Sequence, residues 1–242
     1  MHTYLDRFAP LMSEALHCAG SPEGLALPLE EAQARLIDLA EAERAIPLDA
    51  TAPTRERERR GVLDQCRFAV YAWVDEKMLN APRPDAAAWV GLSLQSRYCA
   101  TTEGGHLFFA HLEELLDSLG VARLKDGTPL ALDRRLELAA ALPPDEPGRE
   151  ALAVHALCLL YGFSGRLYED PELLAGIRKA AHALVPRRPE RGPAAHALTR
   201  ESGRALLHSL EPALYVLVPV AVTALFALFC AAVLANIPVR GL

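Results

Sequence analysis

Apolar positions recur with helical spacing along most of the chain. Between residues 4 and 18 the set Leu5, Phe8, Leu11, Met12, Ala15 and Leu16 follows a 3.6-residue period, and Ser21-Pro22 and Gly24 break it. The period resumes from Leu29 to Ile46 at Ala32, Leu36, Leu39, Ala40 and Glu43, with carboxylates in the first turn, and stops at Pro47 and Pro53. These two stretches predict an αα-hairpin. A charged lead-in, Arg55 to Arg60, opens a long helix to Leu79. Further helices are expected at 85–98, 105–118, 130–141 and 146–161. Asp170-Pro171-Glu172 is a helix start, with a capping acid, proline at the first position and an acid in the first turn, and that helix should run to about Leu184. Val, Ile and Thr are scarce before residue 213, while Ala, Leu, Glu and Arg dominate. Period and propensity therefore agree on an all-α fold.

One segment departs from amphipathic patterning. Residues 213–235 read ALYVLVPVAVTALFALFCAAVLA without a charge. As a helix they would extend roughly 34 Å, enough to cross a hydrocarbon core of about 30 Å. Pro219 is tolerated in such a helix, and Tyr215 stands near one end, where interfacial aromatics belong. The chain accordingly reads as a helical domain over 1–185, a linker with a juxtamembrane helix over 186–212, a transmembrane helix over 213–235 and a short tail over 236–242. Arg187, Arg188, Arg191, Arg200 and Arg204 precede the span and Arg240 alone follows it. The positive-inside rule then places the large domain in the cytoplasm and the tail in the periplasm, a tail anchor in the bacterial inner membrane. The bilayer is thus one expected partner.

Composition narrows the chemistry. The chain of 242 residues has 25 Lys+Arg against 31 Asp+Glu, a net charge of −6, which argues against a nucleic-acid binder. Only Arg240 lies beyond residue 212, so the part before the span carries 24 basic and 31 acidic residues, a net of −7. An acidic domain beside an acidic membrane should turn its working face to soluble partners. The five cysteines, at 18, 66, 99, 158 and 230, form no CxxC pair, so reduced thiols are expected and neither a zinc knuckle nor a disulfide framework. The eight histidines do not cluster, and His106 and His111 would point roughly 140° apart on a helix, so no metal or other cofactor is expected. His155 reads as a core or boundary residue.

Three segments carry denser signals. The first, Arg67-Phe-Ala-Val-Tyr-Ala-Trp-Val-Asp-Glu-Lys-Met-Leu79, is apolar nearly all round from Phe68 to Val74 and includes Trp73, so it should be buried on most sides. Asp75 and Glu76 enter its last turn, where negative charge opposes the helix dipole. Asp75 shares a stripe with Phe68, Tyr71, Ala72 and Leu79. It can be a salt bridge or cap to a neighbouring helix, an arginine being one partner for it, or a docking acid at the rim of a groove. A catalytic pair is disfavoured because adjacent helical residues diverge by about 100°. The second segment, Glu103-Gly-Gly-His-Leu-Phe-Phe109, reads as a tight loop at Gly104 and Gly105 entering a helix that carries Phe108 and Phe109. The third is Leu159-Leu-Tyr-Gly-Phe-Ser-Gly-Arg-Leu167. Gly162-Phe163-Ser164-Gly165 is not a nucleophile elbow, which needs GxSxG after a strand. Gly162 instead suits a helix C-cap and Gly165 a turn. Arg166 is free to pair with a carboxylate, Asp75 or Glu76 being candidates.

Together, in this order and spacing and followed by an apolar C-terminal segment, the three segments resemble the DotU/IcmH/TssL family of inner-membrane secretion components. The resemblance implies a hook-like cytoplasmic domain of two small helix bundles. It implies a TssM/IcmF-like membrane partner, cytoplasmic baseplate partners (TssK-like and TssE-like) and a homo-oligomer within the complex. It matches the family's acidic pair to Asp75 and Glu76, and with Arg166 these are the candidate partner-binding residues. Arg67, Phe68, Trp73, Gly104, Gly105, Phe109, Gly162, Phe163 and Gly165 are candidate structural positions of the motifs. In many relatives an acid follows the two glycines; here His106 stands there, so no role is carried to it. The expected function is a non-enzymatic scaffold of a type VI machine. The alternatives are the corresponding subunit of a type IVB machine and a tail-anchored hydrolase, for which no nucleophile, base and orienter converge in the sequence. Replacing both Asp75 and Glu76 by Arg is expected to spare the fold and weaken recruitment.

Overall fold

The computed structural model describes residues 3–47, 53–121, 130–143 and 147–185, with side chains described from Arg59 onward in the helix that begins at Pro53 and from Gly148 onward in the helix that begins at Pro147. Two compact units divide the chain, Met1–Pro186 and Arg187–Leu242, and all described residues lie in the first. Those residues are helical and include no strand. Among them no helix is long and apolar enough to cross a membrane. The juxtamembrane helix and the span expected over 213–235 lie outside the described residues.

The elements are α1 (Tyr4–Gly20), α2 (Pro22–Leu25), α3 (Leu29–Ala45), α4 (Pro53–Leu79), α5 (Leu94–Cys99), α6 (Gly104–Ser118), α7 (Leu132–Ala140), α8 (Pro147–Leu160) and α9 (Pro171–Ala181). Helix α1 opens on a capping box, in which Thr3 accepts from the Asp6 N–H and Asp6 accepts from the Thr3 N–H. Helix α9 starts as the Asp170-Pro171 pattern predicts, with Asp170 accepting from the Leu173 N–H at 3.0 Å. It ends at Ala181, and residues 182–184 form a turn where the sequence suggested more helix. The helix expected over 85–98 is two pieces, a 3₁₀ segment Ala86–Leu92 and then α5. Ser93 separates them in extended conformation and caps α5 by accepting from the Ser96 N–H.

Helix α4 is the axis of this unit. It packs against α1, α5, α6, α8 and the Ala86–Leu92 segment, while α9 packs on α7 and α8. This explains why its middle is apolar on every side. Cys66, Phe68, Ala69, Val70, Tyr71, Ala72, Trp73, Val74 and Met78 are all buried. A two-sided helix cannot show a clean amphipathic stripe.

The N-terminal hairpin is pinned to α4 by a buried charge cluster. Glu43 of α3 accepts from Arg7 Nε of α1 at 3.1 Å and from Arg67 Nε of α4 at 2.8 Å. Arg7 also donates to the carbonyls of Glu43 and Ile46, closing the end of α3. Arg67 further pairs with Asp64 at 2.9 Å. From the far side, Glu150 of α8 accepts from the Tyr4 N–H, placing an anion at the N-terminus of α1. Removing the central anion leaves the buried Arg7 guanidinium with carbonyl partners only and the half-buried Arg67 with Asp64 alone. Glu43→Ala should therefore cost about 3–5 kcal/mol. Joint replacement of Arg7, Glu43 and Arg67 by Met, Leu and Met should recover most of that. Urea unfolding of the three proteins checks this, and a loss below ~1 kcal/mol for Glu43→Ala would contradict it.

Candidate functional site

The last turns of α4 carry Asp75 and Glu76, which diverge as neighbours on a helix must. Asp75 points into the protein and is 1% exposed. Its Oδ1 accepts from Trp89 Nε1 at 2.9 Å and the Leu94 N–H at 2.8 Å. Its Oδ2 accepts from the Gln95 N–H at 2.9 Å and Gln95 Nε2 at 3.0 Å. The carboxylate thus satisfies the first amides of α5, which that helix cannot bond internally. Burial pushes the Asp75 carboxyl above its ordinary value, against the pull of these donors.

Glu76 points to the segment after α8. Its Oε1 accepts from the Ser164 N–H at 2.8 Å and Ser164 Oγ at 2.7 Å, and its Oε2 accepts from the Gly165 N–H at 2.8 Å. That segment has the shape its glycines permit. Gly162 lies at φ +93°, its N–H bonded to the Leu159 carbonyl while the Phe163 N–H reaches the Cys158 carbonyl, a Schellman end for α8. Arg178 of α9 donates to the Leu159 and Phe163 carbonyls, both at 3.0 Å, and Trp73 Nε1 donates to the Tyr161 carbonyl at 3.3 Å. Gly165, at φ +47°, meets the start of α6. A Cβ at Gly165 would stand 2.8 Å from the Gly105 carbonyl oxygen, and one at Gly105 would stand 3.3 Å from Gly165 Cα. On the other wall, a Cβ at Gly104 would stand 1.8 Å from Gln95 Oε1.

These contacts enclose a cleft of about 230 Å³ lined by residues of all three motif segments, among them Ala72, Asp75, Glu76, Leu79, Gln95, Gly104, Gly105 and Phe163. Phe163 closes its floor and stacks on Phe108 at 4.3 Å between ring centres. Phe109 lies under Arg166, whose guanidinium carbon is 5.3 Å from the ring centre. Arg67 and Phe68 are not at the cleft: Arg67 belongs to the Glu43 cluster, and Phe68 meets the His111 ring at 4.7 Å.

Two expectations are corrected. Arg166 pairs with Glu113 of α6 at 2.7 Å, not with Asp75, whose four acceptor positions are taken, nor with Glu76, which turns to the Ser164 and Gly165 amides. An Arg at position 75 would be enclosed facing the four donors that now bind Asp75, so the double Asp75→Arg, Glu76→Arg variant is expected to destabilise the fold and not to spare it. Gln95, Trp89 and Ser164 are site residues that periodicity did not single out. Ser93-x-x-Ser96, a helix start in the middle of an expected helix, was the available signal. His155 is fully enclosed, its Nδ1 against the Ala151 carbonyl at 3.0 Å, and burial pushes its pKa down to about 4. Among the described residues no group of three or more His, Cys, Asp or Glu side chains could hold a metal ion.

The three motif segments thus meet at one backbone-capping cleft on a helical scaffold. Residues 51–122, which run from α4 through α6, match the model of the family described as Type VI secretion system protein DotU. The resemblance to the DotU/IcmH/TssL family therefore holds, and the match supports a component of a type VI or type IVB secretion system. This is a family of secretion-system structural subunits. No curated protein and no solved structure matches the chain.

The glycine contact is testable. Gly165→Ala adds a side chain at positive φ and into the Gly105 carbonyl, and should destabilise by about 1–3 kcal/mol. Gly20→Ala, where a Cβ meets nothing within 4 Å, is the control and should change stability by less than ~1 kcal/mol. Thermal unfolding of both variants decides, and equal losses would contradict the close approach.

Proposed function

We propose that this chain is a tail-anchored inner-membrane scaffold subunit of a type VI secretion complex. The helical domain faces the cytoplasm, the 213–235 segment spans the bilayer and the tail reaches the periplasm. The domain recruits cytoplasmic baseplate proteins of the TssK and TssE kind, and the membrane segment pairs with a TssM/IcmF-like protein. Copies of the chain associate within the complex, so that weak single contacts add into avidity. The function is positional and not chemical.

One observation carries this reading: three segments far apart in sequence spend their unusual residues on building one cleft. The two adjacent carboxylates at the C-terminal end of α4, where the helix dipole disfavours them, hold the start of α5 and the third of these segments at the cleft. The family matched, described as a type VI secretion system protein, favours the type VI machine over the type IVB one. Glu76 and Arg166, partly exposed at this edge, are the residues proposed to meet partners, while Asp75 holds the wall behind them.

The test is partner capture from the native cell, with the full chain tagged at its N-terminus, crosslinked and recovered from the membrane fraction. The expected result is a large membrane protein together with baseplate subunits. Arg166→Glu, which leaves the buried network alone, should keep the membrane protein and reduce the baseplate yield about tenfold. Recovery of the chain in the soluble fraction, or a catch of metabolic proteins only, would overturn the proposal.

A further inference from the structure

We infer that the cleft receives a basic side chain from its partner and that Glu76, not Asp75, is the acid that meets it. This rests on the docking reading above and names what docks. The first argument is a count of acceptor positions. A carboxylate offers about four, two per oxygen. Each Asp75 oxygen already takes two donors, so this side chain has nothing left to offer. Glu76 Oε1 takes two, but Oε2 takes only the Gly165 N–H and keeps one position open. Gln95, 7% exposed on the same wall, has an Oε1 with no hydrogen-bond donor. Its uncompensated carbonyl dipole adds to the negative potential.

The second argument is charge. The ten lining residues include two carboxylates and neither Lys nor Arg. The N-terminus of α6, at Gly104 and Gly105, offsets only about half a charge. The third argument is size. At about 230 Å³ the cleft falls below the roughly 300–1,000 Å³ of small-molecule sites. It suits one long side chain, whose alkyl stem can lie along Ala72, Leu79 and Phe163, as such stems do on apolar surface. Leu79 is 38% exposed at the mouth, and Asn80 and Thr102 complete a polar rim. Asp75 is accordingly a positioning residue: it holds Gln95 and the start of α5 in place.

The experiment uses the full chain in detergent micelles and two capped pentapeptides, Ac-Ala-Ala-Arg-Ala-Ala-amide and its norleucine counterpart. Trp89 donates to Asp75 behind the cleft, and the chain has only two Trp, so its indole N–H resonance reports occupancy. The arginine peptide should shift that resonance saturably, and the norleucine peptide should bind about tenfold more weakly or worse. Glu76→Gln should weaken the arginine peptide by about tenfold. Asn80→Lys, which sets a competing cation at the exposed rim without touching the buried network, should do the same. Equal binding of the two peptides, no saturable shift, or full affinity in both variants would overturn the inference. Thr102→Trp, which blocks the mouth, separates this from the docking reading. If it abolishes baseplate capture while the arginine peptide fails to bind the unaltered chain, docking at the cleft stands and the basic side chain falls. If it leaves capture intact, the docking reading itself falls.

Discussion

Two adjacent carboxylates on one helix organise this domain. Asp75 and Glu76 diverge from the end of α4, and each captures backbone N–H groups of a different segment. Exposed surface charges contribute little, but a buried carboxylate filled by several donors is held by charge-assisted bonds in a low-dielectric site. Remove one, and amides at the start of α5 or at the turn after α8 lose their partners. The cost of a helix ending on negative charge is offset by what those charges hold.

The remainder of the fold presents α4 to these segments. Glu43 ties the N-terminal hairpin to α4 through Arg7 and Arg67. Arg178 and Trp73 fix the end of α8, so the turn carrying Ser164 and Gly165 arrives at Glu76 already shaped. Gly165 then touches Gly105 at the head of α6, and the cleft follows from that contact. Arg166, the residue after Gly165, is thrown outward onto Phe109 and Glu113.

Much of the fold was legible in the sequence, because it is written in periodicity and caps. The starts of α1, α3 and α9 stand close to where the apolar spacing and the Asp170-Pro171 signal put them. The break at Ser93 was marked only by the Ser93-x-x-Ser96 capping pattern, because what fixes it is Asp75, which from a different helix holds the amides of Leu94 and Gln95. The same limit governs the site. The sequence marked Asp75, Glu76, the paired glycines and Gly165 as unusual, and the structure gathers them around one cleft. It could not tell that Asp75 is saturated while Glu76 is not, since that depends on Trp89 of the 3₁₀ segment and Gln95 of α5 folding back onto α4. Nor could electrostatics alone choose Glu113 over Glu76 for Arg166, because a backbone turn had already claimed Glu76.

The most direct measurement is native-state hydrogen exchange at four amides: Leu94, Gln95, Ser164 and Gly165. If the two carboxylates each organise one segment, all four exchange slowly in the unaltered protein. Asp75→Asn then speeds only Leu94 and Gln95, and Glu76→Gln only Ser164 and Gly165. Fast exchange at these amides in the unaltered protein, or loss of all four together in either variant, would contradict the account.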